Sequence, residues 1–89
     1  MRTIKMTKYG ENRLMSEKIK NHKNKFYVYE IGYHQVLGEY YLEETITTIF
    51  PDTNKPNSCY GEFIMYSNNR DDLIKEIERK QDVKIEIKD

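Results

Sequence analysis

Residues 25–50, Lys25-Phe26-Tyr27-Val28-Tyr29-Glu30-Ile31-Gly32-Tyr33-His34-Gln35-Val36-Leu37-Gly38-Glu39-Tyr40-Tyr41-Leu42-Glu43-Glu44-Thr45-Ile46-Thr47-Thr48-Ile49-Phe50, decide the fold. On either side of Gln35-Val36-Leu37-Gly38 the chain is rich in aromatic and β-branched residues, the composition of strands. A four-residue connection predicts a hairpin that pairs His34 with Glu39, Tyr33 with Tyr40, Ile31 with Leu42 and Tyr27 with Ile46. Side chains alternate across a strand, so one face carries Tyr27, Tyr29, Ile31, Tyr33, Tyr40, Leu42 and Ile46. The other carries Phe26, Val28, Glu30, His34, Glu39, Tyr41, Glu43, Thr45 and Thr47. A slip by one residue mixes the two sets and a slip by two preserves them, so the sorting holds for either loop length. The first face is the expected core. Glu44 falls on it, which predicts an edge position or a carboxylate reaching out to solvent.

Toward the N-terminus, residues 2–8 read as a strand with Ile4 and Met6 inward, followed by a turn at Tyr9-Gly10. Residues 12–21 read as a helix capped by Asn12, with Leu14, Met15 and Ile19 on a narrow stripe. The alternative there is a strand ending at Asn21-His22-Lys23-Asn24. Toward the C-terminus, Phe50-Pro51 ends the hairpin and residues 51–59 read as a polar loop. Tyr60–Tyr66 forms another strand. Asn68 or Asn69 caps a helix with Asp71 and Asp72 in its first turn and Arg79 and Lys80 in its last, charges that complement the helix dipole. Leu73, Ile74 and Ile77 point inward from it. Val83, Ile85 and Ile87 alternate with Lys84, Glu86 and Lys88 in a closing strand.

This order predicts an α+β domain: a small antiparallel sheet with one or two helices packed on one face, ferredoxin-like (split βαβ) or a close variant. If residues 12–21 are a strand, the prediction becomes a curved antiparallel sheet under one helix. The 89 residues read as a single domain, 1–89, with a thin core.

Composition bounds the setting. The chain is 37% hydrophobic and 34% charged, and no apolar run is long enough to span a bilayer. The start, Met1 to Thr7, lacks the apolar segment of a signal peptide. Cys59 is the one cysteine, which excludes an internal disulfide and fits a reducing compartment. A cytoplasmic protein with no membrane partner is expected. Eleven Lys, seven Asn, ten Ile and eight Tyr, with no Ala, are the mark of AT-rich coding, as in low-GC bacteria, their plasmids and their phages. The charge is uneven: residues 1–25 carry eight bases against Glu11 and Glu17, a net +6, and the rest carries −6.

Weighed for chemistry, the residue pattern excludes more than it supports. His22, His34 and Cys59 have no paired metal-ligand spacing, and no cofactor motif is present. Glu43 and Glu44 are neighbours on a strand and point to opposite faces, so they cannot share a substrate. No catalytic residue stands out, and the chain reads as a binding protein, not an enzyme. Glu30 and Glu43 lie directly across the hairpin, where like charges repel. With Glu39, Tyr41 and Phe26 they form an acidic, aromatic patch suited to a host protein with a basic surface, such as a nucleic-acid groove. The leading expectation is a phage or mobile-element inhibitor or modulator of a host macromolecule, of the anti-defence (for example anti-CRISPR-like) type. The alternative is a small RNA- or DNA-binding domain that uses Lys18, Lys20, Lys23 and Lys25, with tyrosines to stack bases. Two features stand against it. The net charge is zero, and Glu62 stands where the aromatic strand motif of RNA-recognition domains needs Gly or Ala.

Overall fold

The hairpin forms in the expected register. A computed structural model describes residues 1–22, 24–50, 52–53 and 55–88, with Asn21 and His22 described by backbone alone. It contains β1 (Arg2–Lys8), β2 (Leu14–Ser16), β3 (Ile19–His22), β4 (Lys25–His34), β5 (Glu39–Ile49), β6 (Pro56–Ser67), α1 (Arg70–Gln81) and β7 (Val83–Lys88). Across the β4–β5 hairpin His34 opposes Glu39, Ile31 opposes Leu42, Glu30 opposes Glu43 and Tyr27 opposes Ile46.

The architecture, however, is not a small ferredoxin-like α+β sandwich. The chain is mostly strand, in one mixed sheet ordered β6-β5-β4-β2-β1-β7, with β3 also paired to β4. Among the described residues there is one helix, and it connects β6 at one edge to β7 at the other, where β7 runs parallel to β1. No helix among the described residues is long and apolar enough to cross a membrane.

The error lies in residues 12–21, which form two short strands and no helix. Asn12 does not cap: its φ of 59° places it in the left-handed region, which asparagine tolerates in tight turns. The turn is closed by the Tyr9 N–H on the Arg13 carbonyl at 3.0 Å. Leu14 and Ser16 are then buried at the period of a strand, and Ile19 is buried after a break at Glu17-Lys18. At that break β4 loses a ladder partner, and the Ser16 hydroxyl replaces it by accepting from the Tyr29 N–H at 2.8 Å. The apparent helical stripe was two strand fragments out of phase.

The expected loop at 51–59 is also shorter than predicted, because β6 begins at Pro56 and runs for 12 residues. Proline is tolerated at a strand's first position, where its missing N–H costs least. The helix agrees with expectation. Asn69 is extended and its side chain accepts from the Asp71 N–H at 3.0 Å, and Leu73 and Ile77 are fully buried.

The core lies between α1 and one face of the sheet: Ile4, Met6, Leu14, Ile19, Tyr27, Tyr29, Ile31, Leu42, Leu73, Ile77, Val83 and Ile85. Tyr33, expected inside, is 38% exposed, its ring edge-on to Tyr40 across the hairpin. Glu44 corrects another expectation. It neither sits at an edge nor reaches solvent; β6 covers the far side of β5, and Glu44 is 5% exposed under the last turn of α1. An isolated carboxylate there would cost several kcal/mol. Instead it accepts from the Tyr29 hydroxyl at 2.6 Å and pairs with the Lys80 ammonium at 2.9 Å, and Gln81 donates to the same hydroxyl at 2.6 Å. These contacts fix the C-terminal end of α1 over the middle of the sheet.

Candidate binding surface

Because α1 covers one face only, none of the described elements forms a layer over the opposite face of β4, β5 and β6. The hairpin register sets Glu30, Tyr41 and Glu43 on this face, with Glu39 two residues from Tyr41 along β5. Tyr41 lies across Gly32: a Cβ at position 32 would run into the phenol, so the bare glycine is what lets the ring lie down. From there its hydroxyl donates to Glu30 Oε2 at 2.8 Å. Burial and that carboxylate both push the Tyr41 hydroxyl above the ordinary tyrosine range. Glu43 reaches over a second glycine, Gly61, where a Cβ would sit 3.6 Å from its Oε2. Glu39 and Glu43 are half-buried.

Two residues that sequence reasoning missed complete the surface. Phe63 and Tyr66 are three apart, a spacing that puts them on opposite faces of a regular strand. A bulge in β6 changes this: Leu42 opposes Met65 and Glu43 opposes Phe63, leaving Ile64 as the extra residue. Phe63 and Tyr66 therefore emerge on the same face as Tyr41. Phe63 meets Tyr41 edge-on at 5.5 Å between centroids and stacks on Tyr66 at 6.1 Å. Phe63 stays 55% and Tyr66 42% exposed. Period-two reading had no means of finding the pair, since the bulge is a property of the β5–β6 pairing. Met15, opposite Glu30 on β2, extends the surface on its other side.

Phe26 does not join this group. It lies six residues along β4 from Gly32, about 20 Å away at strand spacing, and its ring meets the Lys20 ammonium 5.9 Å from its centroid. The bases of the alternative reading are spread along that end of the sheet. Lys18 is exposed between β2 and β3, Lys20 is held on Phe26, and Lys25 opens β4, while Lys23 lies outside the described residues. A separate gathering of bases that the sequence did not reveal, Lys8, Arg13 and Arg70, lines a cavity of about 200 Å³ beside the β1–β2 turn. The Arg13 guanidinium is drawn over the Tyr9 ring, 5.8 Å from its centroid.

His34, in the hairpin turn, accepts from the Leu37 N–H at 3.2 Å, and Cys59 is exposed on β6 beside Thr47. No group of three or more His, Cys, Asp or Glu among the described residues is placed to hold a metal ion. Compared with protein-family models, with curated proteins and with solved structures, the chain matches none.

Proposed function

We propose that this protein is a binding module that docks on a basic protein surface through the open face of β4, β5 and β6. The observation that carries the reading is the uncovered Tyr41–Phe63–Tyr66 cluster with Glu30 and Glu43 beside it. Large aromatic side chains supply binding area at low entropic cost and are enriched at interfaces. Acidic neighbours repel nucleic acid and attract basic targets, speeding encounter. The alanine-free composition extends the proposal to a mobile-element protein that obstructs a nucleic-acid-handling host protein by covering its basic groove. The lone, exposed Cys59 thiol supports a reducing, cytoplasmic setting.

The test is calorimetry with the partner that co-purifies from the native host, using Phe63→Ala and Glu43→Lys checked for folding by circular dichroism. A partner with a basic contact surface is expected, with affinity lowered about tenfold or more by each change. Folded variants that bind as well as the parent, or an acidic partner, would overturn the reading. Salt-sensitive binding to single-stranded RNA or DNA, lost on changing Lys18, Lys20 and Lys25 to Gln, would establish the nucleic-acid alternative in its place.

A further inference from the structure

The two edges of the sheet are built differently. β7 is six residues long and alternates Lys84, Glu86 and Lys88 with its buried positions, so charges guard that edge. β6 is 12 residues long and contains a single charged residue, Glu62. From Pro56 to Phe63 every residue is exposed, Tyr60 and Phe63 each to 55%. Between the register shifts next to Pro56 and Ile64, Ser58–Phe63 pairs regularly with β5, and among the described residues no strand lies on its other side. An unpaired row of backbone N–H and C=O groups without lysine, proline or cover is a template for another strand.

We propose that β6 pairs antiparallel with β6 of a second copy, making one continuous sheet through a two-fold dimer. Self-pairing is favoured over a foreign strand by the fit of the edge to itself. Opposed residues must share a face, which requires the two-fold axis to pass through a residue position. With the axis at Gly61, Tyr60 of each copy faces Glu62 of the other, and Cys59 faces Phe63. No like charges are opposed in this register, and the closest approach falls on two glycines. A Tyr directly opposite a Glu is already used inside the chain, where Tyr29 opposes Glu44 and donates to it. The pairing also brings the two Phe63–Tyr66 stacks to either side of the junction, doubling the aromatic face without consuming Glu30 or Glu43.

Sedimentation velocity across a range of concentrations and non-reducing electrophoresis test this directly. The parent is expected to sediment as a reversible dimer, and Tyr60→Lys, which puts a charge into the edge and lies on the face away from Tyr41, as a folded monomer. Phe63→Cys is expected to oxidise to a disulfide-linked dimer through native Cys59, a link lost in the Cys59→Ser, Phe63→Cys double variant. Within one chain those two positions are four residues apart on a strand, about 13 Å, too far to bridge. A parent that stays monomeric at the highest concentration overturns the proposal, as does a dimer that survives Tyr60→Lys and gives no Cys59-dependent link. Glu43→Lys should leave the dimer intact, so failure here is distinguishable from failure of the partner-binding reading.

Discussion

Ser16 and Tyr29 show how much of this fold rests on single polar atoms. The Ser16 hydroxyl takes the Tyr29 N–H that the break between β2 and β3 leaves without a ladder partner, and donates in turn to the Glu17 carbonyl at 2.9 Å. Ser16→Ala strands a buried donor and is expected to cost about 1–3 kcal/mol in urea denaturation, far more than one hydroxyl on a surface. Tyr29 predicts a pH dependence. Burial, and then its hydrogen bond to the Glu44 carboxylate, push its pKa well above the ordinary value of 10.0. Below about pH 10 both folded and unfolded chains keep the proton, so this group adds no slope. Above it the unfolded chain releases the proton while the native chain holds it, and stability should fall by about 1.4 kcal/mol per pH unit. Denaturation midpoints measured from neutral to strongly alkaline pH check this. Tyr29→Phe should flatten the alkaline slope while lowering stability at pH 7, because Glu44 loses a donor.

At the scale of elements, the bulge at Ile64 is the feature on which the surface depends. Deleting Ile64 would restore plain alternation to β6 and leave Phe63 two positions from Tyr66, so both rings would stay on the open face without the bulge. The expected result is that the variant folds and keeps both the Phe63–Tyr66 stack, read by near-ultraviolet circular dichroism, and its partner binding, because the pairs Glu43–Phe63, Leu42–Met65 and Tyr41–Tyr66 survive the deletion. The hairpin, helix α1 and strands β1 and β7 were legible beforehand because each carries its own periodicity: period two in Tyr27–Ile31, a cap with graded charge in Asn69–Lys80, alternation in Val83–Lys88. Residues 12–21 were not, because Leu14, Met15 and Ile19 fit a weak helical stripe as well as two broken strands. Only pairing to β1 and β4 chooses between them. The surface residues divide the same way. Glu30, Glu39, Tyr41 and Glu43 followed from one hairpin register, whereas Phe63 and Tyr66 needed the bulge that pairing with β5 puts between them, and Phe26 was separated by distance along the strand.

Across the whole molecule, the chain closes on itself late. β7 pairs in parallel with β1 over six residue pairs from Arg2–Val83 to Thr7–Lys88, contacts between the two ends of the sequence. Such pairing must meet its loop-closure cost before it contributes anything. Ending the chain after Gln81 removes this strand, uncovers Ile4 and Met6 along β1, and is expected to abolish cooperative thermal unfolding monitored by circular dichroism. Leu42→Ala, in the middle of the sheet and fully buried, should instead lower stability by about 2–4 kcal/mol and leave a cooperative transition.

By itself the sequence determined the hairpin, its register, the two faces of that hairpin, the capped helix and the closing strand. Each of those depends on neighbours close along the chain or on a simple period. Tertiary structure decided the rest. Whether residues 12–21 became helix or strand depended on the open side of β4. Whether Glu44 met water or Tyr29 and Lys80 depended on where α1 crossed and on β6 covering the far side of β5. Which face of β6 received Phe63 and Tyr66 depended on one unpaired residue in a ladder. In each case the local preferences were close to balanced, and the pairing of distant backbone groups, with the burial it enforces, supplied the difference.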